Sequence, residues 1–100
     1  MKLCELVERA HRTSRSKGFW KDYDDESPQH LVTKLALISS EIYEAIEELR
    51  DGNDISMELA DVYIRLFDLT GKLGYIKINK AILDKMTLNE ERPYKHGKRF

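Results

Sequence analysis

The stretch SPQHLVTKLALISSEIYEAIEELRDG, residues 27–52, carries the signals that decide the fold. Ser27 before Pro28 marks a helix start, with serine at the N-cap and proline at the first helical position, where its missing N–H is not needed. From there Leu31, Leu35, Ile38, Ile42, Ala45, Ile46 and Leu49 recur at steps of three and four, the period of one helix face. Gly52 closes the helix. Working outward, Asn53 or Asp54 can cap a third helix with Ile55, Leu59, Val62, Leu66 and Leu69 on one face, stopping near Gly71 to Gly74. Towards the N-terminus, Lys2 to Lys17 reads as a first amphipathic helix that stops at Gly18, and Phe19 to Glu26 as a loop. A fourth helix from about Ile78 has Ile78, Ile82 and Met86 as its apolar line. Pro93 blocks its continuation and pushes Arg92 out of helical geometry. No segment alternates with period two, so the expected class is all-α with about four helices.

One hundred residues make a single domain, 1–100, with a basic tail over 92–100. A chain this short buries only roughly 60–70% of its unfolded surface. The expected bundle is therefore completed by a second copy, as a homodimer or homotetramer. The 18 acidic and 17 basic residues leave a net charge of −1, which implies no bulk attraction to nucleic acid or anionic membrane. Cys4 is the only cysteine, so no intrachain disulfide can form. The charged start lacks the apolar run of a signal peptide, and no stretch approaches the ~20 apolar residues of a membrane span. The expected location is the reducing cytoplasm.

Two Glu-x-x-acid pairs stand out, Glu41/Glu44 and Glu58/Asp61. With Glu41 at zero on a helical wheel, Glu44 and Glu48 lie roughly 60° and 20° to one side, and the apolar line roughly 80° to the other. The acids thus border the buried face instead of occupying its back. Helix three repeats the arrangement: Asp61 lies roughly 60° from Glu58, with the apolar line on the other side. A short turn at Gly52 sets the two helices antiparallel, so apolar faces that meet bring both pairs to one edge of the seam. Crowded carboxylates beside an apolar wall repel and lose hydration, a strain relieved by protonation or by a cation between them. Oxygen-only ligands favour Mg²⁺, with Mn²⁺ as the other hard ion. The competing reading is plain: Glu-x-x-Glu on a helix is commonly just a solvated face.

The sequence around the pairs carries a resemblance. KLALISSEIYEAIEE (34–48) resembles the first metal-binding helix of MazG-like nucleotide pyrophosphohydrolases, and ELADVYIR (58–65) is similar to their Glu-x-x-Asp helix. KMTLNEERPYKHGKRF (85–100) resembles the closing segment of smaller phage and bacterial members. The likeness runs from about Gly18 to the end. It implies an all-α oligomer that hydrolyses a nucleoside triphosphate to the monophosphate and pyrophosphate. Glu41, Glu44, Glu58 and Asp61 would hold Mg²⁺. Ser40 stands where many members carry a further glutamate. Glu48, one turn beyond Glu44, is a candidate for a further metal contact or for the general base, so Glu41, Glu44 and Glu48 form the expected catalytic acids.

Such a reaction needs cations for the phosphates. Lys85, Asn89 and Arg92 follow one line of helix four, with Lys95, Lys98 and Arg99 on the tail. Arg grips phosphate with a fork of N–H donors, and Lys acts as a point charge. Basic residues also settle ordinarily at a helix C-terminus. Trp20 is a candidate to stack on a nucleobase, whereas Phe19 is expected in the core. His11 follows Glu8 at the spacing of a di-iron ligand pair, yet such sites need two of these motifs; its other role is to face substrate. Tyr43 and Tyr63 read as packing residues. An alternative assignment from another class is an inactive helical module that keeps the fold for metal binding or protein interaction.

Overall fold

The computed structural model describes residues 1–97. Four α-helices form among them: α1 (Leu3–Ser16), α2 (Pro28–Arg50), α3 (Ser56–Leu73) and α4 (Tyr75–Glu90), followed by a short 3-10 turn, Tyr94–Gly97. No strand occurs among the described residues. The all-α class read from periodicity is therefore correct. Lys98, Arg99 and Phe100, the end of the basic tail, lie outside the described residues.

Helix α3 is the hub, packing against α1 on one side and α2 on another, while α4 touches it near their junction. Val7 of α1, Ile38 and Ala45 of α2 and Leu69 of α3 are buried. The α2 helix starts at Pro28, with Ser27 at the N-cap position, although the Ser27 side chain makes no capping bond. The cap of α3 is Ile55, not the expected Asn53 or Asp54. Both polar side chains are engaged elsewhere: Asn53 Nδ2 donates to Glu48 Oε2 at 2.7 Å, and Asp54 Oδ1 accepts from Ser56 Oγ at 3.1 Å.

The α4 helix begins at Tyr75, three residues before the expected Ile78. The single residue Gly74 separates it from α3, with φ at +115°. That backbone conformation suits glycine and strains any residue with a Cβ, so one residue suffices to break the helix and redirect the chain. A second glycine is required by packing. A Cβ on Gly71 would stand 2.6 Å from His11 Cβ and 2.8 Å from His11 Cγ, well inside van der Waals contact. Gly71→Ala gains about 1 kcal/mol of helix propensity but forces α1 from α3, an overpacking cost of about 1–3 kcal/mol. Urea titration should show a net loss of stability for this variant; a gain would contradict the close α1–α3 approach.

Much of the apolar pattern stays exposed among the described residues. Leu35, Ile42, Ile46 and Leu49, all members of the α2 stripe, are exposed, as are Leu59 and Leu66 on α3 and Ile82 and Met86 on α4. Tyr43 and Tyr63 are exposed too. The radius of gyration is 16.0 Å, against about 13 Å for a close-packed chain of this length. No helix among the described residues is long and apolar enough to cross a membrane.

Candidate functional site

A cleft of about 620 Å³ opens between α1, the segment after it, and one side of α2 and α3. Its apolar wall includes Leu6, Ile64, Phe67 and Leu69, and its mouth carries charge of both signs. Glu41 from α2 and Asp61 from α3 both line it. The two helices reach the cleft along polar stripes that continue past the acid pairs. On α3, Glu58, Asp61, Arg65 and Asp68 follow one another at steps of three and four, which is one face of a helix. On α2, Lys34, Glu41 and Glu48 repeat at seven.

Arg65 joins the stripes. Its Nε lies 3.0 Å from Glu41 Oε1, and the Glu41 side chain is only 15% exposed. This pair ties α2 to α3, and for antiparallel helices joined by a short turn it puts 41 roughly level with 65. Counting one turn at a time towards the connection brings Glu44 near the level of Asp61, and Glu48 near that of Glu58. All four expected ligands therefore sit within about two turns of the α2–α3 seam. Their side chains are not gathered: Glu41 faces Arg65, Glu44 and Asp61 are exposed, and Glu58 is half-buried. Among the described residues no three acids already stand close enough to share a cation. In donor chemistry the set suits a hard ion, with Glu41 Oε1 given to Arg65 and its second oxygen not so engaged.

The second anchor of the cleft is Asp68. Its Oδ1 accepts from Trp20 Nε1 at 2.9 Å and lies 2.8 Å from His11 Nδ1. Both His11 and Asp68 are about 15% exposed, so this three-residue junction is largely shielded from water. The Trp20 ring meets His11 and Tyr23 edge to face, at centroid separations of 5.5 and 4.9 Å. Lys34 Nζ stands 4.3 Å over the Trp20 ring and donates to the Phe19 carbonyl at 2.6 Å. Lys72 Nζ, 3.1 Å from Asp25 Oδ1, holds the far end of the same loop. The residues after α1 are thereby strapped to α2 and α3, forming one wall of the cleft.

Trp20, the candidate for stacking on a nucleobase, lines the cleft and is half-buried. Phe19, expected in the core, is 61% exposed instead. The indole N–H found a carboxylate to bond, which a phenyl ring cannot do, and the neighbouring side chain was turned outward. His11 bonds Asp68 and packs on Gly71; it does not line the main cleft, so its position is accounted for by helix docking. Lys85, Asn89, Arg92 and Lys95 are exposed and none lines the cleft. The reason is topological: α4 packs on α3 near Gly74 and does not fold back over the seam. Arg65, Lys34, Arg9 and Lys17 line the cleft in the same chain. Sequence reading passed over them because it followed the acids alone; the seven-residue spacing of Glu58 to Arg65 and of Lys34 to Glu41 was the available signal.

Comparison of the chain with protein-family models, curated proteins and solved structures finds no match.

Proposed function

We propose that this protein is a Mg²⁺-dependent pyrophosphohydrolase, converting a nucleoside triphosphate to the monophosphate and pyrophosphate. The observation that carries this reading is that Glu41 and Asp61, from two neighbouring helices, line one cleft with Arg65 and Trp20. An apolar-walled pocket with few convergent charged groups is the ordinary form of a small-molecule site. The resemblance of residues 34–48, 58–65 and 85–100 to MazG-like enzymes supports the same reaction.

In this reading Glu41, Glu44, Glu58 and Asp61 would hold Mg²⁺, which would supply neutralisation of phosphate charge and polarisation of the attacking water. The chain's own residues do the remaining work. Arg65 and Lys34 steady the phosphates from the cleft wall. Glu48, the acid of the seam outside that ligand set, accepts the proton of water as its oxygen bonds to the α-phosphorus. The bond from the α-phosphorus to the bridging oxygen breaks, and pyrophosphate leaves with that electron pair. A panel of nucleoside triphosphates, standard and modified, assayed for pyrophosphate with Mg²⁺ and again with EDTA, tests the reading. Metal-dependent release supports it, and no release across the panel overturns it.

The active form is a homodimer or homotetramer. The exposed line Leu35, Ile42, Ile46 and Leu49 runs most of the length of α2, and contiguous apolar surface of this kind marks an association face. Sedimentation should give at least twice the chain mass of 11.7 kDa, and Ile46→Glu should shift it to monomer. A wild-type monomer at micromolar concentration contradicts this assembly.

A further inference from the structure

Arg65 has a contact that fits poorly with a purely structural ion pair. A guanidinium locked on a carboxylate for stability commonly uses two parallel N–H bonds. Here only Nε bonds Glu41, and the two amino groups have no hydrogen-bond partner among the described residues. The Arg65 side chain is 37% exposed while Glu41 is 15% exposed, so the arginine is the more accessible member. It lines the 620 Å³ cleft, as do Arg9, Lys17 and Lys34. Of the three acids on that lining, Glu41 is occupied by Arg65, and Asp68 by Trp20 and His11. Asp61 shows no hydrogen bond or ion pair of this kind among the described residues. Lys34 is likewise engaged, by the Phe19 carbonyl and the Trp20 ring, but it keeps its charge. The lining thus carries Arg9, Lys17, Lys34 and Arg65 against three acids, a balance that suits an anionic ligand with an apolar portion.

We propose that Arg65 is a phosphate anchor that exchanges partners: Glu41 holds it while no cation is bound, and releases it to the nucleotide's phosphates when Glu41 turns to the cation. This rests on the pyrophosphohydrolase reading for the identity of the ligand. A cation on the Glu41 carboxylate would lie within a few ångströms of the guanidinium held on Oε1, and at that distance two positive charges repel strongly in a partly buried site. The cation therefore competes with the Nε bond, and the freed fork matches phosphate oxygens bidentately. Two consequences follow by linkage. The cation alone binds more weakly than the acids would otherwise allow, because it competes with Arg65. The anion alone also binds weakly, because it competes with Glu41. Each ligand then promotes the other, which couples nucleotide capture to the presence of metal.

Calorimetric titration of the full chain separates these terms. The probes are Mg²⁺ alone, and a nucleoside triphosphate with a methylene bridge between its α- and β-phosphates. Arg65→Gln should bind Mg²⁺ alone about tenfold more tightly, the equivalent of removing one charge-assisted hydrogen bond from competition. In the presence of Mg²⁺, the same variant should bind the analogue at least ~10-fold more weakly. Glu41→Gln approaches the pair from the other side and should strengthen analogue binding in EDTA about threefold or more, the mark of a released competitor. Circular dichroism confirms that each variant is folded, and the second variant keeps the test open if the first is not. Unchanged or weaker Mg²⁺ binding in folded Arg65→Gln, or unchanged metal-free analogue binding in Glu41→Gln, overturns the proposal. So does Mg²⁺ binding to neither protein. Turnover is a separate readout: its absence defeats the hydrolase reading, while opposed shifts in cation and anion affinity bear on Arg65 alone.

Discussion

Asp61→Asn and Glu44→Gln should each lower kcat/KM for pyrophosphate release by at least ~100-fold, the usual order for removing one charged group from a preorganised electrostatic site. Both substitutions keep the side-chain volume and remove one negative charge. Both positions are exposed in the single chain, so the expected stability change is within about 0.5 kcal/mol. Loss of activity therefore reports on the chemistry and not on unfolding. The two variants approach the site from different helices, since Glu44 belongs to α2 and Asp61 to α3. If only one of them mattered, the seam between those helices would not be the site. Raised Mg²⁺ should recover part of the loss in each case, because a weakened ligand set can still be filled by mass action. Activity within about threefold of wild type, for either variant, would contradict the assignment.

The largest stability effect is expected at Asp68. Its Oδ1 serves Trp20 Nε1 and His11 Nδ1 together, and those three residues come from α3, the post-α1 segment and α1. Asp68→Ala leaves two polar groups without their partner in a setting that is only about 16% exposed at the aspartate. Each stranded group costs about 1–3 kcal/mol when water cannot replace the lost partner. Partial exposure moderates the sum, and a loss of about 2–3 kcal/mol on urea titration is expected. Asp68→Asn retains an acceptor oxygen and should lose less. Trp20 is the only tryptophan, so its fluorescence reports the junction directly. A red-shifted emission in Asp68→Ala should accompany the stability loss. Wild-type stability with unchanged emission would show that the junction does not hold the strap.

The elements legible in the sequence were those governed by local rules. Ser27-Pro28 marked the start of α2, the three- and four-residue apolar spacing marked its length, and Glu41 lies at the edge of the buried face, whereas Glu44 and Asp61 are exposed. What escaped was decided by distant partners. Phe19 and Trp20 are adjacent aromatics with similar apolar bulk, and the choice of which one turns inward rests on an aspartate 48 residues from the tryptophan. The docking of α4 was equally illegible. Ile78, Ile82 and Met86 identify a helix with an apolar line, but periodicity does not say which surface that line will meet. Within one chain it meets little, because Gly74 redirects α4 and the remaining apolar residues stay exposed. Arg65 and Asp68 were readable in principle. They continue the Glu58/Asp61 face by one and two turns, and a stripe followed for all its polar members, not its acids alone, includes both.

The most direct test of the central claim is ³¹P NMR of a nucleoside triphosphate incubated with the wild-type protein and Mg²⁺. Hydrolysis at the seam of α2 and α3 predicts the appearance of nucleoside monophosphate and pyrophosphate in equal amounts, with neither formed in EDTA. Nucleoside diphosphate with inorganic phosphate as the initial products, or an unchanged spectrum for every nucleotide tried, would contradict it.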